Sequence, residues 1–467
     1  MKENNGKGAS ERFWKQISGV LSVTLFVLGL ISVWDVRSSN RGRIRKKQRV
    51  TLLGGLRQRE SSSAEEQLLH PQHQHQQQQH QRQDTSKILD GSFTLIDIMI
   101  TSTSAPGLKK KEGSNTYTGV YGVFCPVQWG LHHANPSQYP MFRDLIEASE
   151  CSRKSVRLDL ASVASEARNL DRNDAATTKV LPLGGVVFHE SRCGSTLVAN
   201  SLVASHPDQH RVYSESSPPV EALQFCHDGR EKEAEDPTDV SILCRHLLAD
   251  VIYLMSRTSD PSTTCVFFKI QSIGTVNIQK FTKVFPNIPW VFVFRDPVEV
   301  MMSHLPSSIN NKDNILFSNC LRTFHRPNPY YHSLIRKFTP TKTFDTLSYE
   351  QHCAAHLAQI TEAARAAMEN DNNSKGMLVH YGSDLSQNLI QTVFPHHFSI
   401  PMDIDAVKRV QDVSTLYSKG RGKRAGEWRA DSAQKLSSAS PAIIEASNLF
   451  LLDTYNWMKE RSIHSLQ

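Results

Sequence analysis

An arginine, a glycine and two adjacent hydroxyls form the stretch of this chain best suited to hold an anion: Arg192, Cys193, Gly194, Ser195 and Thr196. They sit in GGVVFHESRCGSTLVANSL, Gly184 to Leu202, after a short apolar run and before a helix-like segment. A strand that turns through glycine into a helix aims backbone N–H groups and the positive helix end at one spot, as a phosphate requires. Gly194 lets the backbone approach closely, the two hydroxyls add donors, and Arg192 adds a forked, permanently charged donor set. The phosphate loop of kinases and ATPases reads G-x-x-x-x-G-K-[ST]. Here no lysine follows the glycine, and the cation lies two residues upstream of it.

A second arginine ends another apolar run, in IPWVFVFRDPVEVMMSHL, Ile288 to Leu305. The run Trp290 to Phe294 suits a strand buried on both faces. Arg295 ends it, Asp296 can cap the helix that follows, and Pro297 fits the first helical turn. Ser303 then lies two turns along the helix. Three further segments carry candidate side chains. CVFFKIQS ends a strand pattern at Lys269. MLVHYGSDL ends one at Tyr381. SKGRGKRAGEWR, Ser418 to Arg429, holds Arg421, Lys423, Gly426 and Trp428 in a basic loop.

Taken in order, these segments resemble the sulfotransferases that use 3′-phosphoadenosine 5′-phosphosulfate (PAPS). Their 5′-phosphosulfate loop reads K-S-G-T-T or R-S-G-S-S; Arg192 falls on its basic position, Gly194 on its glycine, and Ser195 and Thr196 on its hydroxyl pair. Their 3′-phosphate is held by an arginine at a strand end and a serine eight positions later, the spacing of Arg295 and Ser303. Lys269 stands where the family often has a lysine near the transferring group. Gly426 and Trp428 match the end of its R-K-G-x-x-G-x-W loop, while Arg421, Gly422 and Lys423 are permuted relative to R-K-G. The resemblance spans roughly Val180 to Met458. It implies that PAPS is a co-substrate, that no metal is needed, and that Arg192 stabilises the bridging oxygen. It also implies that Cys193, Gly194, Ser195 and Thr196 wrap the 5′-phosphate.

Transfer also needs a group to take the acceptor's proton. Cytosolic members carry a histidine two residues after the lysine; here Ile270 and Gln271 follow Lys269. Members of the Golgi often use a carboxylate, and YSESSPP, Tyr213 to Pro219, supplies Glu215. His189 and Glu190 are second choices, and His132 and His133 have no partner motif. The acceptor implied is a hydroxyl or an amine, with a glycan in first place. The rival from another class is a catalytically silent relative that binds nucleotide or glycan. A small-molecule kinase is disfavoured, since neither a loop lysine nor a magnesium-binding acid is visible.

These residues must be positioned by a larger architecture. From Val180 onward strand patterns (Val180 to His189, Thr264 to Ile270, Pro289 to Arg295, Met377 to Tyr381) alternate with helical ones (Cys244 to Ser256, Tyr349 to Met368). Such alternation predicts an α/β fold, a parallel sheet with helices on both faces, like that of phosphate-loop proteins. Ligands of such sheets bind at the carboxyl ends of the strands, where both arginine motifs begin. Pro441 to Met458 reads as a closing helix. Ahead of this domain, 179–463, lies an accessory region, 91–178, with a strand pattern in FTLIDIMI and a short helix in PMFRDLIEASEC.

The remaining chain reads as an anchor and a spacer. After a short tail, 1–16, Ile17 to Trp34 carries no charge over eighteen residues, roughly 27 Å of helix, enough for a thin bilayer. No small-residue cleavage site follows, so an uncleaved signal-anchor is expected. Four Lys/Arg precede it and seven follow within 35–50, which by charge alone would keep the body cytosolic. The family resemblance implies the opposite, a type II Golgi membrane protein with a lumenal body, and we adopt that expectation. The formal net charge of +7 is concentrated around this anchor, leaving the rest nearly neutral and disfavouring a nucleic-acid partner. The stem, 35–90, contains HPQHQHQQQQHQRQ and is too polar to order itself. None of the eight cysteines forms a C-x-x-C pair, which argues against zinc and allows a few disulfides in a lumenal body. Cys193 is expected to stay free, and Asn372 is the one evident glycosylation sequon.

Overall fold

The structure, a computed structural model, describes residues 84–101, 109–110, 116–172, 178–228, 240–305, 318–371, 374–382, 384–421, 426–427 and 430–462. The apolar segment Ile17–Trp34, the spacer through residue 83, Asn372, Lys423 and Trp428 lie outside them. Among the described residues no helix is long and apolar enough to cross a membrane. Residues 82–467 form one compact unit, which contains both the accessory region and the alternating one.

The unit begins with a helical turn over 84–89 and an antiparallel three-stranded sheet. Its strands are β1 (Thr94–Ile100), β2 (Val120–Cys125) and β3 (Val156–Asp159), with β2 central. Between β2 and β3 runs the short helix α1 (Phe142–Ala148), and the Cys125–Cys151 disulfide ties that excursion to the sheet. Helix α2 (Leu160–Arg172) follows β3.

The chain then builds the alternating layer. β4 (Leu183–His189) leads through the arginine loop into α3 (Ser195–Ser205), followed by β5 (His210–Ser214), α4 (Ser217–Asp228) and α5 (Ile242–Ser256). Next come β6 (Cys265–Lys269), β7 (Trp290–Phe294), α6 (Pro297–His304), α7 (Tyr349–Glu369) and β8 (Gly376–His380). The last elements are α8 (Ile404–Ser414), α9 (Ser432–Ser438), α10 (Pro441–Phe450) and α11 (Leu452–Glu460). Strands β4 to β8 pair all-parallel in the order β8-β7-β4-β6-β5, flanked by helices. The expected α/β architecture is therefore observed.

Two elements depart from expectation. β5 was hidden because HRVYS is polar, yet every residue in it is buried. Its Arg211 donates to the Arg257 carbonyl (3.1 Å) and the Thr258 hydroxyl (2.7 Å), and lies 4.8 Å over the Trp129 ring. A charged side chain satisfied this way leaves no trace in a hydrophobic pattern. The closing helix is two helices, broken at the buried Leu451.

The central sheet reads as apolar because both of its faces are covered; all five residues of β7 are buried. Several contacts bind the accessory layer to the rest of the unit, among them Arg168 with Asp250, the Tyr117 hydroxyl with Asp250 and the Arg257 guanidinium. Arg257, 4% exposed, pairs with Asp171 of α2 through Nε (3.0 Å) and Nη2 (2.8 Å). It also donates to the Ile88 and Leu89 carbonyls and the Thr178 hydroxyl. Breaking a buried pair strands the remaining charge, at a cost of about 3–5 kcal/mol. Arg257→Ala is therefore expected to lower the unfolding free energy by roughly that amount. A denaturant midpoint equal to that of the unmodified chain would refute the tether.

Candidate functional site

The pairing of β4 with β7 turns a hundred-residue separation in sequence into neighbouring strand ends. Trp290, Val291, Phe292 and Val293 lie opposite Val186, Val187, Phe188 and His189. β6 flanks β4 on the other side, with Lys269 opposite Val187, and β5 lies beyond it, with Ser214 opposite Lys269. Along the carboxyl edge the order is thus Tyr381, Arg295, the Arg192 loop, Lys269 and Glu215. All of these except Lys269 line one cavity of about 510 Å³. Ser195, Thr196 and Ser303 line it too, and so do Arg421 and Lys435.

The loop after β4 is bent into an anion cradle. Ser191, Arg192 and Gly194 have φ of 62°, 59° and 80°, so successive N–H groups turn toward the same side. Among the described residues the N–H groups of Arg192, Gly194 and Thr196 donate to no protein acceptor. Gly194 is required twice over. Its φ is left-handed, and a Cβ there would lie 2.1 Å from the Tyr381 ring. Arg192 is exposed at the cavity and makes no ion pair with a described residue. The Cys193 thiol is free, as expected, but buried; its Sγ bonds the Val293 carbonyl at 3.1 Å, and burial pushes its pKa up to about 12. The Cys193 side chain thus turns away from the cavity, and Cys193 does not line it.

Arg295 reaches the cavity from a crowded setting. It pairs with Glu299 and, at 3.2 Å, with Asp431, donates to the Ser432 hydroxyl at 3.0 Å, and lies 4.6 Å over the Tyr381 ring. Its buried Nε has no partner among the described residues. Ser303 lines the cavity near it while its hydroxyl donates to the Glu299 carbonyl at 2.8 Å. Lys435 bonds the other side of Asp431 at 2.7 Å. Removing the half-exposed Asp431 would leave Arg295 and Lys435 converging on one vacant anion seat.

At the opposite end Lys269 is 1% exposed and bonds Glu215 at 2.5 Å. Burial alone would raise the Glu215 carboxyl, but Lys269, with His189 and Lys419 adding to it, outweighs burial and holds the group well below the usual range. His189 lies 3.8 Å from the same carboxylate through Nε2, while its Nδ1 accepts the Ser191 N–H at 3.2 Å. Burial, aided by Lys269, keeps the imidazole neutral. With Nδ1 occupied, the proton sits on Nε2, so His189 is not an open base. Glu190 does not line the cavity; its carboxylate accepts the Arg295 backbone N–H at 2.5 Å. His132 is buried away from the cavity, and His133 does not line it.

The basic loop contributes differently from expectation. Tyr417 N–H donates to the Gly426 carbonyl at 2.8 Å and Leu416 bridges Glu427 antiparallel, while Gly426 does not line the cavity. Arg421 lines it while bound to Asp144 of α1. Lys419, which the sequence reading passed over two residues earlier, lines the cavity as well. Asp431 and Lys435 were also missed. Their i,i+4 spacing is a common surface pattern and gave no signal.

No family model matches this chain, and no curated protein does. A solved structure that it resembles is the sulfotransferase domain from the curacin biosynthetic pathway, at 12% identity and a TM-score of 0.30. The match covers 61% of this chain and 93% of that one. Fold and loop together define the class: a parallel α/β protein with a strand–loop–helix anion cradle at the carboxyl edge of its sheet. Among the described residues no group of His, Cys, Asp or Glu could hold a metal ion.

Burial raises the Glu190 pKa from 4.5 to about 8, with Asp296 adding to it and the Arg295 N–H opposing. The folded chain therefore holds a proton that the unfolded chain releases, and stability falls as pH rises from about 4.5 to about 8. Glu190→Gln keeps the acceptor oxygen and removes the titration. Its stability relative to the unmodified chain is expected to grow across that interval; a constant difference would contradict the buried proton.

Proposed function

We propose that this chain transfers a sulfuryl group from PAPS to a hydroxyl or amine acceptor, with a glycan as the first candidate. The observation that carries the reading is that Arg192 and Arg295, on adjacent strand ends, line one cavity. In this reading the chain is a Golgi-membrane protein anchored by Ile17–Trp34.

The donor supplies an already activated sulfur whose leaving group is a phosphate. Transfer then needs positioning and charge stabilisation more than covalent help from the protein. The cradle of Gly194, Ser195 and Thr196 holds the 5′-phosphate, and Arg192 meets the charge that grows on the bridging oxygen. Arg295, Ser303 and Lys435 take the 3′-phosphate, which displaces the Asp431 carboxylate from its seat. As the acceptor oxygen bonds to sulfur and the sulfur–oxygen bond to phosphate breaks, the acceptor's proton passes to Glu215. A carboxylate paired with Lys269 is a weak base. It suffices because an oxygen already bonding to sulfur releases its proton readily.

Two experiments test this reading. Arg295→Ala is expected to erase the preference for adenosine 3′,5′-bisphosphate over adenosine 5′-phosphate, measured by calorimetry, whereas Asp431→Ala strengthens bisphosphate binding several-fold. Equal affinity of the two nucleotides for the unmodified chain would remove the 3′-phosphate site. In a turnover assay with labelled PAPS and an acceptor panel, Arg192→Ala is expected to lose about 100-fold or more in rate. Glu215→Gln is expected to lose about 100-fold or more while still binding bisphosphate. A silent relative would bind bisphosphate and transfer nothing.

A further inference from the structure

One polar side chain of the cavity has no role in that scheme. Gln271 follows Lys269 by two positions, is half-buried and lines the cavity next to Glu215. Glu215 itself stands in an unusual backbone state. Its φ is 56°, in the left-handed region where a residue with a Cβ is strained. Such a residue persists only where its surroundings hold it there.

One short stretch, Lys269 to Gln271, does the holding. The Glu215 N–H donates to the Lys269 carbonyl at 2.7 Å, and the Lys269 ammonium bonds carboxylate Oε1 at 2.5 Å. Gln271 Nε2 then donates to the Glu215 carbonyl at 3.1 Å. The stretch is fixed in its turn. Ile270 is buried and donates its N–H to the Val187 carbonyl of β4 at 3.0 Å, while the Gly274 N–H donates to the Gln271 carbonyl at 2.7 Å. The carboxylate is thereby aimed as well as held. Oε1 takes Lys269 and lies 3.8 Å from His189 Nε2, whereas Oε2 makes no hydrogen bond among the described residues. A base needs one free oxygen in a fixed direction, and Oε2 is that oxygen.

We propose that Gln271 is a positioning residue, whose amide locks the peptide after Glu215 so that Oε1 stays on Lys269 and Oε2 faces the acceptor. This rests on the donor reading given above and on Glu215 as its base. No base stands at position 271; the amide there holds one that stands at the end of the neighbouring strand. Without that amide the Glu215 peptide is free to leave the left-handed region, and the carboxylate leaves Lys269 with it.

Turnover with labelled PAPS, together with bisphosphate calorimetry on the full chain, tests it. Gln271→Met keeps the length of the side chain and removes the donor. It is expected to lower kcat about tenfold or more, with acceptor KM and bisphosphate affinity within about twofold of the unmodified chain. The pH profile gives a second readout. Burial raises the Glu215 pKa, but Lys269, His189 and Lys419, the groups that face it, outweigh burial and hold it well below the usual range. A carboxylate released from Lys269 returns toward its ordinary 4.5, so Gln271→Met is expected to lose kcat as pH falls through that region, where the unmodified chain keeps it.

The sharpest comparison is made in the Glu215→Gln background. A residue that acts through Glu215 costs nothing further there, so the double variant is expected within about twofold of Glu215→Gln alone. Gln271→Asn, whose amide falls short of the Glu215 carbonyl, is expected to repeat the loss and replaces Gln271→Met should that variant not fold. Full kcat in the Gln271 variants, losses that multiply in the double variant, or an acid limb that does not move overturns the inference. A chain that binds bisphosphate but transfers nothing, or in which Glu215→Gln costs no rate, has no base at Glu215, and the inference falls with it. If the unmodified chain binds no bisphosphate, the donor reading itself falls and takes both with it.

Discussion

Strand β7 lies in parallel register against β4, and three contacts at their carboxyl ends keep the two loops that follow from drifting apart. The Glu190 carboxylate accepts the Arg295 N–H, the Cys193 thiol bonds the Val293 carbonyl, and the Glu190 N–H donates to that same carbonyl. None of these groups need touch a ligand. Together they set the spacing between a cradle of backbone N–H groups and a guanidinium on the neighbouring strand. Displacement of one loop by a single residue would separate the two cations and turn the strand faces over. The cavity depends on this clamp more than on any of the residues that line it.

The charge arrangement follows from the same edge. Cations arrive there from the β4 and β7 loops, from the basic hairpin and from α9, and they would repel one another if left uncompensated. The protein answers some of them internally: Lys269 by Glu215, Arg421 by Asp144, and Arg295 by Glu299 and Asp431. Among the described residues Arg192 and Lys419 make no ion pair, and both line the cavity with the loop. A site preorganised in this way needs little reorganisation when negative charge enters it, and that is how fixed dipoles and cations contribute most. Asp431 lines the site and, with Glu299, answers the Arg295 charge.

The two arginine loops were legible because their signals are local. A buried strand, a small-residue turn and a helix start are each written in consecutive residues, and the parallel layer follows from their alternation. The accessory sheet was partly legible for the same reason. β5 was not, since its buried arginine is satisfied by Arg257 and Thr258, more than forty residues on, and its histidine by Ser205 and the Leu202 carbonyl of the preceding helix. The inward turn of Cys193 and the pairing of Asp431 with Arg295 and Lys435 were likewise hidden. A side chain's direction at a turn depends on φ, and on what packs against it, rather than on its type.

The amino-acid sequence by itself determined the elements and the chemistry at their ends: Arg192 with Gly194, Ser195 and Thr196 after one strand, and Arg295 with Ser303 after another. Hydrophobic periodicity and turn chemistry act over a few residues, so they are readable one segment at a time. Only the tertiary structure decided that these ends are neighbours, that Glu215 is tied to Lys269, and that Arg295 is paired with Glu299 and Asp431. Those outcomes depend on strand order and on the summed field of charges brought together from distant parts of the chain. Coulomb interactions and desolvation are fixed by distance in space, and distance along the chain does not supply it.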